Sequence, residues 1–170
     1  EESGLLGSSY FAANPPMPIN TMAANLNVDG LNYLGPARDM IQLGSDRSTL
    51  GPMVEALLKE RGRTLGKDSH PERGYFFRSD HFPFAKAGVP ALSISESKEF
   101  TGANAAELLK KQEAYNGKDY HQPSDEYDPS WDFSGGVDDL KLLAQLAWRI
   151  AAAPDMPKYN DGDQFAQVRK

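Results

Sequence analysis

An α/β layer fold with a central sheet is the class that this sequence predicts, and three observations predict it. Short strand-like runs alternate with segments whose apolar residues recur at helical spacing, the pattern of a sheet covered by helices. A chain of 170 residues fits one ordinary domain better than two independent cores. Its composition, 39% hydrophobic with 10% aromatic and 25% charged residues, suffices for a sizeable core and is too apolar for a disordered chain.

Residues 4–14 (GLLGSSYFAAN) predict a short amphipathic helix, ended by Pro15 and Pro16, which cannot continue it. Residues 21–28 (TMAANLNV) read as a weakly patterned strand stopped by Asp29-Gly30, and 40–43 (MIQL) as another. Over 48–61, Leu50, Val54, Leu57 and Leu58 keep helical spacing up to Gly62. Residues 62–78 read as a loop, 82–87 as a short helical turn and 89–94 as a buried strand. A helix over 104–115 leads into a polar stretch, 116–130, holding Pro123, Pro129 and four Asp or Glu residues; long ordered loops of this kind often carry function. Residues 134–153 form the longest predicted helix, its first turn expected to carry Asp138 and Asp139 at the positive end of its dipole, with Pro154 as its stop. Residues 155–170 read as a polar tail.

Composition and charge remove several classes of function. With 18 Lys and Arg against 24 Asp and Glu the formal charge is −6, the wrong sign for neutralising nucleic-acid phosphates. The most apolar helical stretch, 140–153, is interrupted by Lys141, Gln145 and Arg149 and falls short of the roughly 20 residues that cross a bilayer, so no membrane span is expected. The absence of cysteine excludes disulfides, thiolate nucleophiles and thiolate zinc sites, leaving His, Asp and Glu as the plausible protein metal ligands. No GxSxG elbow, HExxH helix or P-loop is present, so serine hydrolases, zincins and nucleotide enzymes lose their usual support. The sequence opens on Glu1 and Glu2, with neither an initiator Met nor a signal-peptide pattern, and is expected to be a piece of something longer.

Four local constellations can carry chemistry. Glu1 and Glu2 are adjacent carboxylates just before a helix, either a reactive pair or a surface feature that complements the helix dipole. Asp29 in Asn27-Val28-Asp29-Gly30 ends a strand, where α/β proteins usually place ligands, and is equally a turn residue. In Arg78-Ser79-Asp80-His81-Phe82-Pro83-Phe84, a buried His beside an Asp can orient a site, while Ser79-Asp80 is also a good helix cap. His121, in Asp119-Tyr120-His121-Gln122-Pro123-Ser124-Asp125, is either a metal ligand backed by a carboxylate or a surface histidine.

Taken together and in order, EExGLLGS, NVDG, RSDHFPFAKAGVPAL and DYHQPSDEY resemble the second half of the M28 family of zinc-dependent peptidases over about residues 1–150. Each motif is weak alone; four in the family's order and approximate spacing are specific. The resemblance implies two zinc ions at the C-terminal edge of a central mixed sheet flanked by helices, lacking here its N-terminal side. Residues 1–153 would then be the C-terminal part of the catalytic domain and 154–170 a polar tail. Carried over residue by residue, Glu1 matches the general base, Glu2 a zinc ligand, Asp29 a ligand of the other zinc and His121 a ligand of the same zinc as Glu2. Tyr120 matches a phenol that hydrogen-bonds the oxyanion, and Arg78 and Asp80 would line the substrate site. Asp125, four residues past His121, is expected to orient that imidazole.

These residue types suit the chemistry: zinc on oxygen and imidazole ligands keeps a position open for water, whose proton a neighbouring carboxylate can take. The family's two remaining ligands, a His and a bridging Asp, lie upstream of the Glu-Glu pair, and neither His70 nor His81 sits in their motif. The isolated chain is therefore expected to be metal-poor and inactive, with a sheet edge open to self-association. The intact protein is expected to be an aminopeptidase acting on peptide substrates and, by family resemblance, secreted or periplasmic. A single-zinc glutaminyl cyclase is the alternative enzyme, disfavoured by Tyr120 where cyclases tend to carry Trp. A non-catalytic module of the same fold would need none of Glu1, Glu2, Asp29 and His121.

Overall fold

The computed structural model describes residues 2–168. Its centre is a four-stranded mixed sheet of β1 (Asn25–Val28), β2 (Asp39–Leu43), β3 (Thr64–Gly66) and β4 (Ala91–Ser95), in the order β1-β4-β2-β3. β1 runs parallel to β4, β2 antiparallel to β4, and β3 parallel to β2. Five helices surround it: α1 (Leu6–Ala13), α2 (Leu50–Glu60), α3 (His81–Lys86), α4 (Ala105–Lys118) and α5 (Ser134–Ala152). The α/β class expected from the alternating pattern is the class observed.

Strand alternation divides the core into two layers. Met40 of β2 with Leu92 and Ile94 of β4 meets Leu50, Val54, Leu57 and Leu58 of α2 and Leu142, Leu143, Leu146 and Ile150 of α5. Each fully buried aliphatic side chain here is worth roughly 1.5–3 kcal/mol of transfer free energy, so this layer dominates the fold. On the other face, Leu43 and Ala91 pack with Ala85, Phe82 and Phe76. Leu34, Ala37 and Phe100 form a third cluster beneath Leu108 and Leu109 of α4.

Three segments differ from the sequence reading. β3 lies inside the stretch expected as a loop: its three residues are too few to show alternation, and only pairing with β2 makes them a strand. The predicted strand over 21–28 is shortened to Asn25–Val28, because Ile19–Thr21 turn as a 3-10 helix. Residues 154–168, expected as a polar tail, dock through two aromatic side chains. Tyr159 and Phe165 are buried in the second layer, Tyr159 Oη donates to the Val89 carbonyl (2.9 Å), and Arg47 pairs with Asp163 (2.9 Å).

The start of α5 also departs from expectation. Asp138 accepts hydrogen bonds from Arg61 (2.9 Å) and Arg63 (3.0 Å) instead of merely facing the helix dipole. Asp139 is buried against Arg63, Oδ1 to Nη1 2.7 Å, at an angle that does not complete a hydrogen bond. Gly135 lets this helix end lie on the 32–35 loop, since a Cβ there would overlap the Gly35 carbonyl oxygen. Among the described residues, no helix is long and apolar enough to cross a membrane.

Candidate active site

β1 and β4 are parallel, so their C-terminal ends share one edge of the sheet, and Asp29 follows directly on β1. Asn27 Nδ2 donates to Ser79 Oγ (2.7 Å) and Ser93 Oγ (3.1 Å), which ties β1, β4 and the approach to α3 together behind Asp29. α1 contributes no buried residue and packs on α3, where Ser8 Oγ donates to Asp80 Oδ1 (2.5 Å) and Phe11 meets Phe84 at 5.5 Å between ring centroids. The Asp80 carboxylate thus joins α1 to α3. The motifs assign no role to Ser8 or Asn27, although Asn25 and Asn27, two apart in a strand, already mark a polar face.

Glu2 and His121 meet although 119 positions separate them, Glu2 Oε1 lying 3.2 Å from His121 Nε2. His121 has φ 61°, a left-handed conformation rare outside glycine and concentrated at functional sites. The Tyr120 ring stacks on its imidazole, centroids 3.9 Å apart and planes 21° apart. Behind the pair, Tyr115 lies 6.2 Å from Tyr120 and 5.4 Å from Tyr33, which in turn lies 4.7 Å from Trp131. Asp125 accepts a hydrogen bond from Tyr115 Oη (2.7 Å), and among the described residues no hydrogen bond joins it to His121. Asp125 therefore steadies the loop through Tyr115, whose own phenol is pushed up by burial first and by this carboxylate second. Ser124 Oγ donates to Asp119 Oδ1 (2.7 Å), closing the same loop. Glu1 lies outside the described residues.

Glu2 also lines a cleft of about 420 Å³ between the start of α1 and α3, together with Gly4, Leu5, Ser9, Phe77, Arg78, Phe82, Pro83 and Lys86. Arg78 and Lys86 both line this cleft, and the motifs assign no role to Lys86.

A family model described as peptidase family M28 matches residues 1–144, most of the chain. The chain belongs to peptidase family M28. It is similar to leupeptin-inactivating enzyme 1 of Streptomyces exfoliatus, 25% identical over 175 residues, and that alignment covers 99% of this chain and 37% of the enzyme. The chain thus spans little more than a third of the length of this curated relative. No solved structure is significantly similar to it.

The donors of this M28 chain suit zinc in kind, being carboxylate oxygen and imidazole nitrogen. Two of them suit it in placement, since ligands about 2.0–2.1 Å from a tetrahedral zinc lie roughly 3.3 Å apart, close to the Glu2 to His121 separation. In number they fall short: no three His, Asp or Glu side chains among the described residues stand close enough to hold a metal ion. Asp29 does not complete a set of three with Glu2 and His121.

His81, near the site, is fully buried with neither ring nitrogen hydrogen-bonded; the Phe76 backbone lies near it without reaching hydrogen-bond geometry. Burial lowers its pKa from 6.5 to about 4, and the nearby Asp29 and Asp80 carboxylates offset this only in part. The unfolded chain therefore takes up this proton first. Stability conferred by the neutral imidazole is present above about pH 6.5 and is lost as pH falls toward 4, by up to roughly 3 kcal/mol. Urea midpoints at pH 7 and pH 4.5 should diverge for the parent, and His81→Leu should remove most of that difference. An equal loss in parent and variant would assign the acid sensitivity elsewhere.

Proposed function

We propose that this chain supplies part of the metal site and the substrate cleft of a zinc-dependent aminopeptidase of family M28. The observation that carries the reading is the meeting of Glu2 and His121, from opposite ends of the family's motif series, beside a cleft that Glu2 itself lines. Glu2 and His121 would hold one zinc and Asp29 the other, with the bridging Asp and a further His coming from upstream of the Glu-Glu pair in the family's order. Zinc, when bound, supplies the positive charge that acidifies water and polarises a peptide carbonyl.

The protein's own groups divide the remaining work. Adjacent carboxylates can act separately because a turn of the backbone sends their side chains apart, so Glu2 serves as ligand and Glu1 takes the water's proton. Tyr120, held against His121 by stacking, is the donor to the oxyanion that develops on the carbonyl. Arg78 lines the substrate cleft. The relative's name says that it inactivates leupeptin.

The test uses the enzyme that joins this chain to the polypeptide bearing the two other ligands. Leucine p-nitroanilide should be hydrolysed, hydrolysis should stop on chelation and return with zinc, and N-acetyl-leucine p-nitroanilide should not be cleaved. Equal cleavage of the acetylated substrate would overturn the aminopeptidase reading. The 170-residue chain alone should give no turnover, because its described residues bring only two donors together.

A further inference from the structure

The cleft beside Glu2 is lined by side chains of both charge signs. Glu2 stands on its wall as an anion, and Arg78 and Lys86 stand on the same wall as cations. Neither cation has a carboxylate partner among the described residues; each lies over an aromatic ring instead. The Lys86 Nζ is 5.6 Å from the centroid of Phe82, and the Arg78 guanidinium is 5.9 Å from that of Tyr75. A ring attracts a cation and limits where it points without neutralising it, so both charges remain available to an incoming anion. Arg47, Arg61, Arg63 and Arg149 are, by contrast, all paired with carboxylates. Beside these charges, Leu5 and Phe77 offer apolar surface. At about 420 Å³ the cleft is within the size range of small-ligand sites.

We propose that this cleft is a carboxylate subsite for short peptides, with Arg78 and Lys86 receiving the free C-terminal carboxylate and the apolar wall receiving the adjoining side chain. The proposal deepens the aminopeptidase reading and rests on it for the direction of the peptide, whose amine would lie toward the proposed metal site at Glu2 and His121. A peptide short enough to present both termini to one cleft is then favoured over a longer chain or a carboxamide. The argument for Lys86 is the same as for Arg78, although the motif that contains Lys86 assigns it no role.

The probe is leucyl-phenylalanine, titrated into the uniformly 15N-labelled, metal-free 170-residue chain and followed by amide shifts. Both cations are exposed, so the affinity is expected to be weak, in the ~mM range, and to fall as salt rises from 50 to 500 mM. Shifts should concentrate at residues 77–86, and leucyl-phenylalaninamide should bind at least tenfold more weakly. Lys86→Met and Arg78→Met should each weaken the acid severalfold and leave the amide unchanged. The acid-to-amide comparison needs no variant, so a misfolded substitution does not compromise it.

Equal affinity for acid and amide, shifts outside the cleft, or no binding of either peptide at 20 mM would overturn the proposal. N-acetyl-leucyl-phenylalanine separates the two readings. Binding equal to that of the parent keeps the carboxylate subsite while removing the free amine as a contributor to binding. Because this readout needs neither zinc nor turnover, failure of the peptidase assay and failure of the subsite are distinguishable.

Discussion

His121→Ala is expected to lower kcat/KM of the zinc-loaded enzyme at least about 10³-fold, some 4 kcal/mol of transition-state stabilisation, and to lower the zinc bound per chain. The imidazole sits 3.2 Å from Glu2 on a backbone with φ 61°, a conformation that a β-carbon makes costly unless the surroundings impose it. Alanine keeps that backbone cost and loses the donor. Glu1→Gln should behave differently, losing roughly 10² to 10⁴ in kcat with zinc content unchanged, because a proton acceptor is removed and no ligand is. Its role rests on the motif resemblance, since Glu1 lies outside the described residues. Metal analysis beside kinetics separates the two. If His121→Ala stayed within tenfold of the parent with full zinc, the assignment of His121 as a ligand would fail.

Arg63→Met should be strongly destabilising, by about 3–5 kcal/mol at pH 7, because it strands Asp139 in the interior. Asp139 is 2% exposed and stands 2.7 Å from Arg63; burial raises its pKa even with that partner present. With a folded pKa above the unfolded one, the native state holds the proton more tightly. Stability from this group therefore falls as pH rises through the interval between the two values. Loss of Arg63 moves the folded value further up, so the deficit of the variant should be largest at neutral pH and shrink toward pH 4.5. Urea unfolding of parent and variant at both pH values reads this directly, and Asp139→Asn in the Arg63→Met background should recover much of the loss. A deficit under about 1 kcal/mol, or one that does not change with pH, would show that water already solvates Asp139.

The helices α2 and α5 and the strands β2 and β4 were legible because each buries one periodic face: Leu50, Val54, Leu57 and Leu58 recur every three to four residues, and Met40, Leu92 and Ile94 sit on alternate strand positions. β3 was not, since Thr64–Gly66 is a strand only by virtue of its neighbour. Tyr159 and Phe165 were hidden by a local composition that is polar on average, although two aromatic anchors suffice to dock a segment. In the candidate site, residue types and motif order pointed to Glu2, Asp29 and His121. The spacing could say nothing of Ser8 reaching Asp80, or of Asp125 serving Tyr115 instead of His121.

By itself, then, the sequence determined the fold class, the helical and strand faces that make the main core, the absence of cysteine chemistry and the family to which the motifs belong. Those properties are local or compositional, and periodicity and residue type record them. Only the tertiary structure decided the direct 3.2 Å contact of Glu2 with His121, that Arg78 and Lys86 share a cleft with Glu2, and that Asp139 is buried against Arg63. These are contacts between distant positions, set by strand order and helix packing, and no window along the chain contains both partners.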